Sequence, residues 1–219
     1  MNDENDDRLK GVAPAEDILG RISQELAGKF TGIFTPEMVD RYVFESYTAL
    51  ARTARITTHL PSTTRHFAYD RLTALAHSKG SRPSGKPEVL FVCVHNAGRS
   101  QMAAALLKHR AGDTVNVRSA GSMPAERLLP NVTAVMNDLG INLEQEFPKP
   151  LTDDVVRAAD IVVTMGCGDT CPIYPGKRYE DWQIDAPEDR SLKEVLAIRD
   201  QLDQLVQGLL ASLSPGLRS

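Results

Sequence analysis

The chain has 219 residues, 42% of them hydrophobic and 25% charged, with a formal net charge of −4 at pH 7. That length holds one large domain or two small ones, and the apolar content suffices for a buried core. The acidic balance argues against nucleic acid as a partner, no apolar run reaches the roughly 20 residues of a membrane span, and the acidic start Met1–Asp7 is unlike a secretory signal, so a cytoplasmic protein is expected.

Residues 1–12 are charged and lack apolar periodicity, which predicts a disordered N-terminus. From Pro14, apolar residues Ile18, Leu19, Ile22, Leu26 and Phe30 recur at helical spacing, with Gly28 or Gly32 as the stop. Thr35 as N-cap, Pro36 and Glu37 open a second helix with Met38, Val39, Tyr42, Val43, Ser46, Ala49 and Leu50 in its stripe. A third begins after Leu60-Pro61, capped by Ser62 or Thr63, and carries Phe67, Leu72 and Leu75. The expectation is an all-α three-helix bundle over 13–78. The Gly-, Ser- and Pro-rich stretch 79–87 has a linker's composition.

Over 88–214 the pattern becomes that of an α/β domain. Val89–Cys93 is a continuous apolar run, as in a buried parallel strand. A helix from Ser100 to Arg110, a strand at Val115–Ser119 and a helix from Pro130 to Leu139 follow. Thr152 is expected to cap a helix over Asp153–Ala159, ahead of a strand at Ile161–Met165 and a long helix, Leu192–Leu213. Alternating strands and helices predict a doubly wound parallel sheet, whose ligands bind outside the carboxyl ends of the strands. Cys93 stands at such an end.

The loop Cys93-Val94-His95-Asn96-Ala97-Gly98-Arg99-Ser100 joins that strand to a helix. Such a loop turns several N–H groups toward one point, and the helix N-terminus adds positive potential. Gly98 and Asn96 permit unusual backbone conformations. Arg99 offers a planar two-pronged donor to a tetrahedral oxyanion such as phosphate or sulfate. Ser100 is placed to hydrogen-bond the Cys93 sulfur, which favours the nucleophilic thiolate. His95 either tunes the loop or faces solvent. Three cysteines are too few for a secreted disulfide framework, and no ligand set for a metal is evident.

The run Val89–Ala103, with Arg99-Ser100-Gln101-Met102-Ala103 and Ser119-Ala120-Gly121-Ser122, resembles the low-molecular-weight protein tyrosine phosphatase family and its arsenate reductase branch. The N-terminal helices are similar to a small domain of some actinobacterial members. The resemblance implies a four-stranded parallel sheet flanked by helices, and reduction of arsenate to arsenite with no bound cofactor. A phosphatase needs no second thiol, but arsenate reduction needs two electrons. The resemblance therefore implies a relay: Cys93 attacks arsenate, Cys167 resolves, and Cys171 leaves a Cys167–Cys171 disulfide for thioredoxin. Only three residues separate Cys167 from Cys171, whereas thioredoxin-coupled relatives space them farther apart. A related branch, coupled to mycothiol and mycoredoxin, has a similar Gly166-Cys167-Gly168-Asp169 segment, so the carrier stays open; a phosphatase is the alternative activity.

The family's proton donor is an Asp directly before Pro in a Trp-containing loop. Here Ala186 precedes Pro187, leaving Asp185 as the candidate acid, with Asp181 and Glu188 behind it; Trp182 is packing or function. The helical region's role is unreadable, with a homodimer or docking of the carrier among the choices.

Overall fold

The computed structural model describes residues 12–54, 57–80, 85–166 and 171–213. The chain separates into two compact units, Met1–Ala76 and His77–Ser219. Nearly all of the expected disordered N-terminus lies outside the described residues, but Val12 is already helical.

In the first unit, α1 (Val12–Lys29) holds Pro14 in its first turn, where a missing N–H costs nothing. Helix α2 (Pro36–Ala51) is capped by Thr35, whose hydroxyl accepts from the Met38 N–H at 3.3 Å. Helix α3 (Leu60–Ser78) starts ahead of the expected caps. The hydroxyls of Ser62 and Thr63 donate back to the His59 carbonyl at 2.9 and 3.1 Å, so they lie inside the first turn. Pro61 is tolerated there for the same reason as Pro14. The stripes close on a core that includes Leu19, Leu26, Phe30, Val39, Val43 and Leu72. Arg71 is buried with its guanidinium 4.5 Å from the Tyr42 ring and 3.1 Å from Glu45.

The second unit contains β1 (Glu88–Cys93), α4 (Arg99–Ala111), β2 (Asn116–Gly121), α5 (Pro130–Asn137), α6 (Asp153–Ala158), β3 (Ile161–Met165), β4 (Arg178–Asp181) and α7 (Leu192–Leu213). The four strands form one parallel sheet in the order β2-β1-β3-β4. Every residue of β1 is buried, as a strand covered on both faces requires. It starts one residue early, at Glu88, whose buried carboxylate is held by Asn116 at 2.6 Å and Arg118 at 3.2 Å. Two local expectations fail. The Thr152 hydroxyl does not cap α6; it is buried with no hydrogen-bond partner among the described residues. Strand β2 extends to Gly121 because the chain beyond Ser119 continues to pair with β1.

Helix α7 opens with a reciprocal cap: the Ser191 N–H donates to the Glu194 carboxylate at 2.9 Å, and the Glu194 N–H donates to the Ser191 hydroxyl at 3.4 Å. Its apolar side, Val195, Ile198, Leu202, Val206 and Leu209, packs into the core with Met102, Leu106 and Leu107 of α4. No described helix is long and apolar enough to cross a membrane.

The register places Cys93 opposite Gly121 of β2 and Met165 of β3. Three strand ends thus share one edge. The strand order reverses at β1, so the crevice at that edge opens beside Cys93.

Candidate active site

The site begins with the backbone after β1. The carbonyls of Cys93, Val94, His95 and Ala97 accept hydrogen bonds from the N–H groups of Ser122 (3.2 Å), Met123 (2.9 Å), Ala125 (2.9 Å) and Leu129 (3.1 Å). There are no cis peptides among the described residues. In a trans peptide the C=O of one residue and the N–H of the next point in opposite directions. The N–H groups of Val94, His95, Asn96 and Gly98 therefore face the inner side of the loop. The Asn96 N–H shows it directly, lying 3.3 Å from Cys93 Sγ. With its outward carbonyls already satisfied, the loop keeps this shape without help from a ligand.

A chain of side-chain hydrogen bonds ends on the same sulfur. The Lys149 N–H (2.8 Å) and Gln101 Nε2 (3.0 Å) donate to Asn96 Oδ1. Asn96 Nδ2 donates to Ser100 Oγ at 2.7 Å, and Ser100 Oγ is 3.0 Å from Cys93 Sγ. The Ser100 oxygen accepts from Asn96, which leaves its proton free to be donated to the sulfur. Asn96, Ser100 and Gln101 are all buried, so each bond is strengthened by the low local dielectric. The Asn96 N–H and the Ser100 hydroxyl thus both lie within hydrogen-bond range of the sulfur.

Two glycines make the fit possible. A Cβ on Gly121 would lie 2.7 Å from the Val94 carbonyl oxygen and 2.9 Å from Asn96. One on Gly98 would lie 2.4 Å from the Pro187 ring. Asn96 itself has φ 49°, a left-handed conformation that Asn tolerates better than most residues.

Arg99 is half-buried and held at two points. Its Nη1 donates to the Ile184 carbonyl at 3.3 Å, and it lies so close to Gly166 that a Cβ there would be 2.8 Å away. Asp185 follows Ile184 directly and is exposed, as is Ala186, while Pro187 is buried against Gly98. Asp185 therefore sits between two points of contact with the loop. Asp181 lies apart, on β4, where its carboxylate accepts from the Thr164 hydroxyl at 2.7 Å and from Gln183. Trp182 belongs to the core, its ring 5.6 Å from Phe91. Glu188 Oε1 lies 3.1 Å from His95 Nδ1.

Cys167 lies outside the described residues, although Gly166 before it touches Arg99. Cys171 is buried, its sulfur 4.0 Å from the Pro172 carbonyl. The Tyr179 hydroxyl accepts from the Tyr174 N–H at 2.9 Å and donates to Pro172 O at 3.1 Å, closing the loop that carries this thiol. Burial, and then the nearby Cys171 charge, raises the Tyr179 phenol above its usual pKa.

Three contributors to the site went unassigned in the sequence: Gln101 and Lys149, which brace Asn96, and Asn131, whose amide donates to Pro187 O at 3.1 Å. Gly121 carried a signal, because its Ser-Ala-Gly-Ser setting was already part of the resemblance.

A buried thiol under an amide-lined loop, at the end of an inner strand of a parallel sheet, is the arrangement of an α/β domain that can hold a tetrahedral oxyanion against a sulfur. Residues 88–218 match low molecular weight phosphotyrosine protein phosphatase, and the chain belongs to that family. Residues 19–76 match the protein-tyrosine-phosphatase-like N-terminal domain. The chain is 50% identical to the solved thioredoxin-dependent arsenate reductase of Corynebacterium glutamicum, covering 91% of this chain and 98% of that one, with a TM-score of 0.83. It is 31% identical to the glutaredoxin arsenate reductase of a Synechocystis species, covering 58% of this chain and 98% of the relative. A solved arsenate reductase in the phosphate-binding state is 30% identical, covering 58% of this chain and 98% of its own, with a TM-score of 0.50.

Proposed function

We propose that the chain reduces arsenate to arsenite through three thiols. Cys93 thiolate attacks arsenic, held by the inward N–H groups and Arg99, and a protonated oxygen leaves as water. Asp185 is assigned as the donor of that proton. Cys167 thiolate then attacks the Cys93 sulfur. The S–S bond forms as the S–As bond breaks, and the electron pair leaves with arsenic as arsenite. Cys171 thiolate next attacks Cys167, which returns Cys93 as thiolate and leaves a Cys167–Cys171 disulfide. A thioredoxin reduces that disulfide.

Likeness over 91% of the chain to a thioredoxin-dependent arsenate reductase carries the choice of arsenate over a phosphate ester. The loop geometry supports the first step for either substrate. The test is arsenate-dependent NADPH oxidation in the presence of thioredoxin and thioredoxin reductase, with mass spectrometry after one turnover without reductant. A Cys167–Cys171 disulfide is the expected product. A mixed disulfide between Cys93 and mycothiol, formed only when that thiol is added, would replace thioredoxin with the low-molecular-weight thiol route. Full activity in Cys93→Ser would sink both.

A further inference from the structure

Residues 184–188 follow the oxyanion loop and meet it three times. The Ile184 carbonyl receives Arg99 Nη1 at 3.3 Å, the Pro187 ring fills the space beside Gly98, and Glu188 Oε1 lies 3.1 Å from His95 Nδ1. The first contact is a long hydrogen bond from a side chain needed for anion binding, and the second is van der Waals packing. The third joins two side chains otherwise outside the mechanism. His95 is third in the loop, its carbonyl held by the Ala125 N–H at 2.9 Å, so its backbone is fixed. Glu188 Oε2 is buried with no hydrogen-bond partner among the described residues. The His95 and Glu188 side chains are 45% and 30% exposed, so their contact orients the segment rather than adding much stability.

We propose that the His95–Glu188 pair is a positioning contact that fastens the segment bearing Asp185 to the oxyanion loop. The inference rests on the arsenate-reducing reading with Asp185 as acid. Glu188 touches neither the thiol nor the anion clamp. It acts by fixing the far end of a segment whose near end is fixed at Ile184, so that the acid between them stays in range of the leaving oxygen. Misplacement of a catalytic group by about 1 Å costs rate rather than binding. The inward N–H groups do not depend on this pair, so arsenate binding is retained without it.

The variants are Glu188→Ala, Glu188→Gln, His95→Ala and the double alanine, read by kcat and KM for arsenate and by amide hydrogen exchange of 184–188. Glu188→Ala is expected to lower kcat about tenfold with KM changed by less than about twofold, and to speed exchange in the segment. Glu188→Gln keeps an oxygen that accepts from His95 Nδ1–H, so it should restore kcat to within about twofold of wild type. The double alanine should be no slower than the worse single variant, since both remove one contact. A Gln variant as slow as Ala would make Glu188 a proton donor and overturn the proposal. Multiplicative losses, or a raised KM at unchanged kcat, would overturn it as well. If the wild type does not reduce arsenate, the functional reading falls, and exchange alone decides whether His95 and Glu188 hold the segment.

Discussion

The loops that carry Cys93 and Cys171 are built to opposite standards. The first leaves a strand paired on both sides, its carbonyls are bonded at 2.9–3.2 Å to residues 122–129, and Asn96 and Ser100 are wholly buried. The second precedes the edge strand β4; among the described residues it is tied by the Tyr179 hydroxyl and by Lys177 Nζ, which donates to the Arg157 and Ala159 carbonyls, and Ile173 beside it is 81% exposed. Tyr174 reaches out of it to Asp153, and Arg157 lies 4.3 Å over the Tyr174 ring, both at the surface. A nucleophile that must meet an oxyanion in one geometry gains from rigidity. In the proposed relay the Cys171 thiol must reach another sulfur, for which a segment that opens at little cost is suited.

Asn96→Ala tests the rigid side hardest. It removes the donor to Ser100 and places Ala at φ 49°. The expected loss is about 10² in kcat for arsenate, the scale of removing one pre-aimed donor. Retention of most activity would show that the Ser100–Cys93 bond needs no bracing.

Gly121→Ala comes next. The new methyl meets the Val94 carbonyl oxygen at 2.7 Å, and a thermal melt should register about 1–3 kcal/mol of destabilisation. An unchanged melting temperature would mean the loop yields more easily than its hydrogen bonds imply.

Tyr179→Phe addresses the second loop. It removes two hydrogen bonds from the Cys171 loop at a cost of about 1 kcal/mol each. In single-turnover assays, attack by Cys93 should proceed at the wild-type rate, while formation of the Cys167–Cys171 disulfide changes. A slower first step would erase the distinction between the loops.

The smallest effect lies away from both. The Arg110 guanidinium, 2.6 Å from Asp203, holds that carboxyl below its usual pKa and ties α4 to α7. A depressed carboxyl adds stability that is complete above its unfolded pKa and is lost as pH falls through the folded one. Arg110→Met should therefore cost under about 1 kcal/mol at neutral pH. In acid below the ordinary carboxylate range, melts of variant and parent should converge.

These loops also differ in how far the sequence reveals them. The Cys93 loop is eight consecutive residues after an apolar run, so its chemistry is legible in one glance along the chain. Its bracing by Lys149 and Pro187 is not, because they reach it only through the fold. Strands β1 and β3 announce themselves as apolar runs, and α7 by its period. Strand β4, Arg178-Tyr179-Glu180-Asp181, has no such run, since an edge strand with half-exposed residues needs none. The caps expected at Ser62 and Thr63 failed because a hydroxyl is equally content to bond backward into its own turn.

The loop's outward carbonyls have one more consequence. A receptor whose donors are already aimed recognises a tetrahedral shape and a negative charge, and it is blind to the atom at the centre. Phosphate then fits as well as arsenate and competes for the same seat. Discrimination belongs to the reductive step, in which a second thiolate attacks the sulfur and arsenic departs with the S–As electron pair, as phosphorus does not. In a phosphate-rich cell the turnover of such an enzyme is governed by the ratio of the two anions, and its fidelity by chemistry rather than fit.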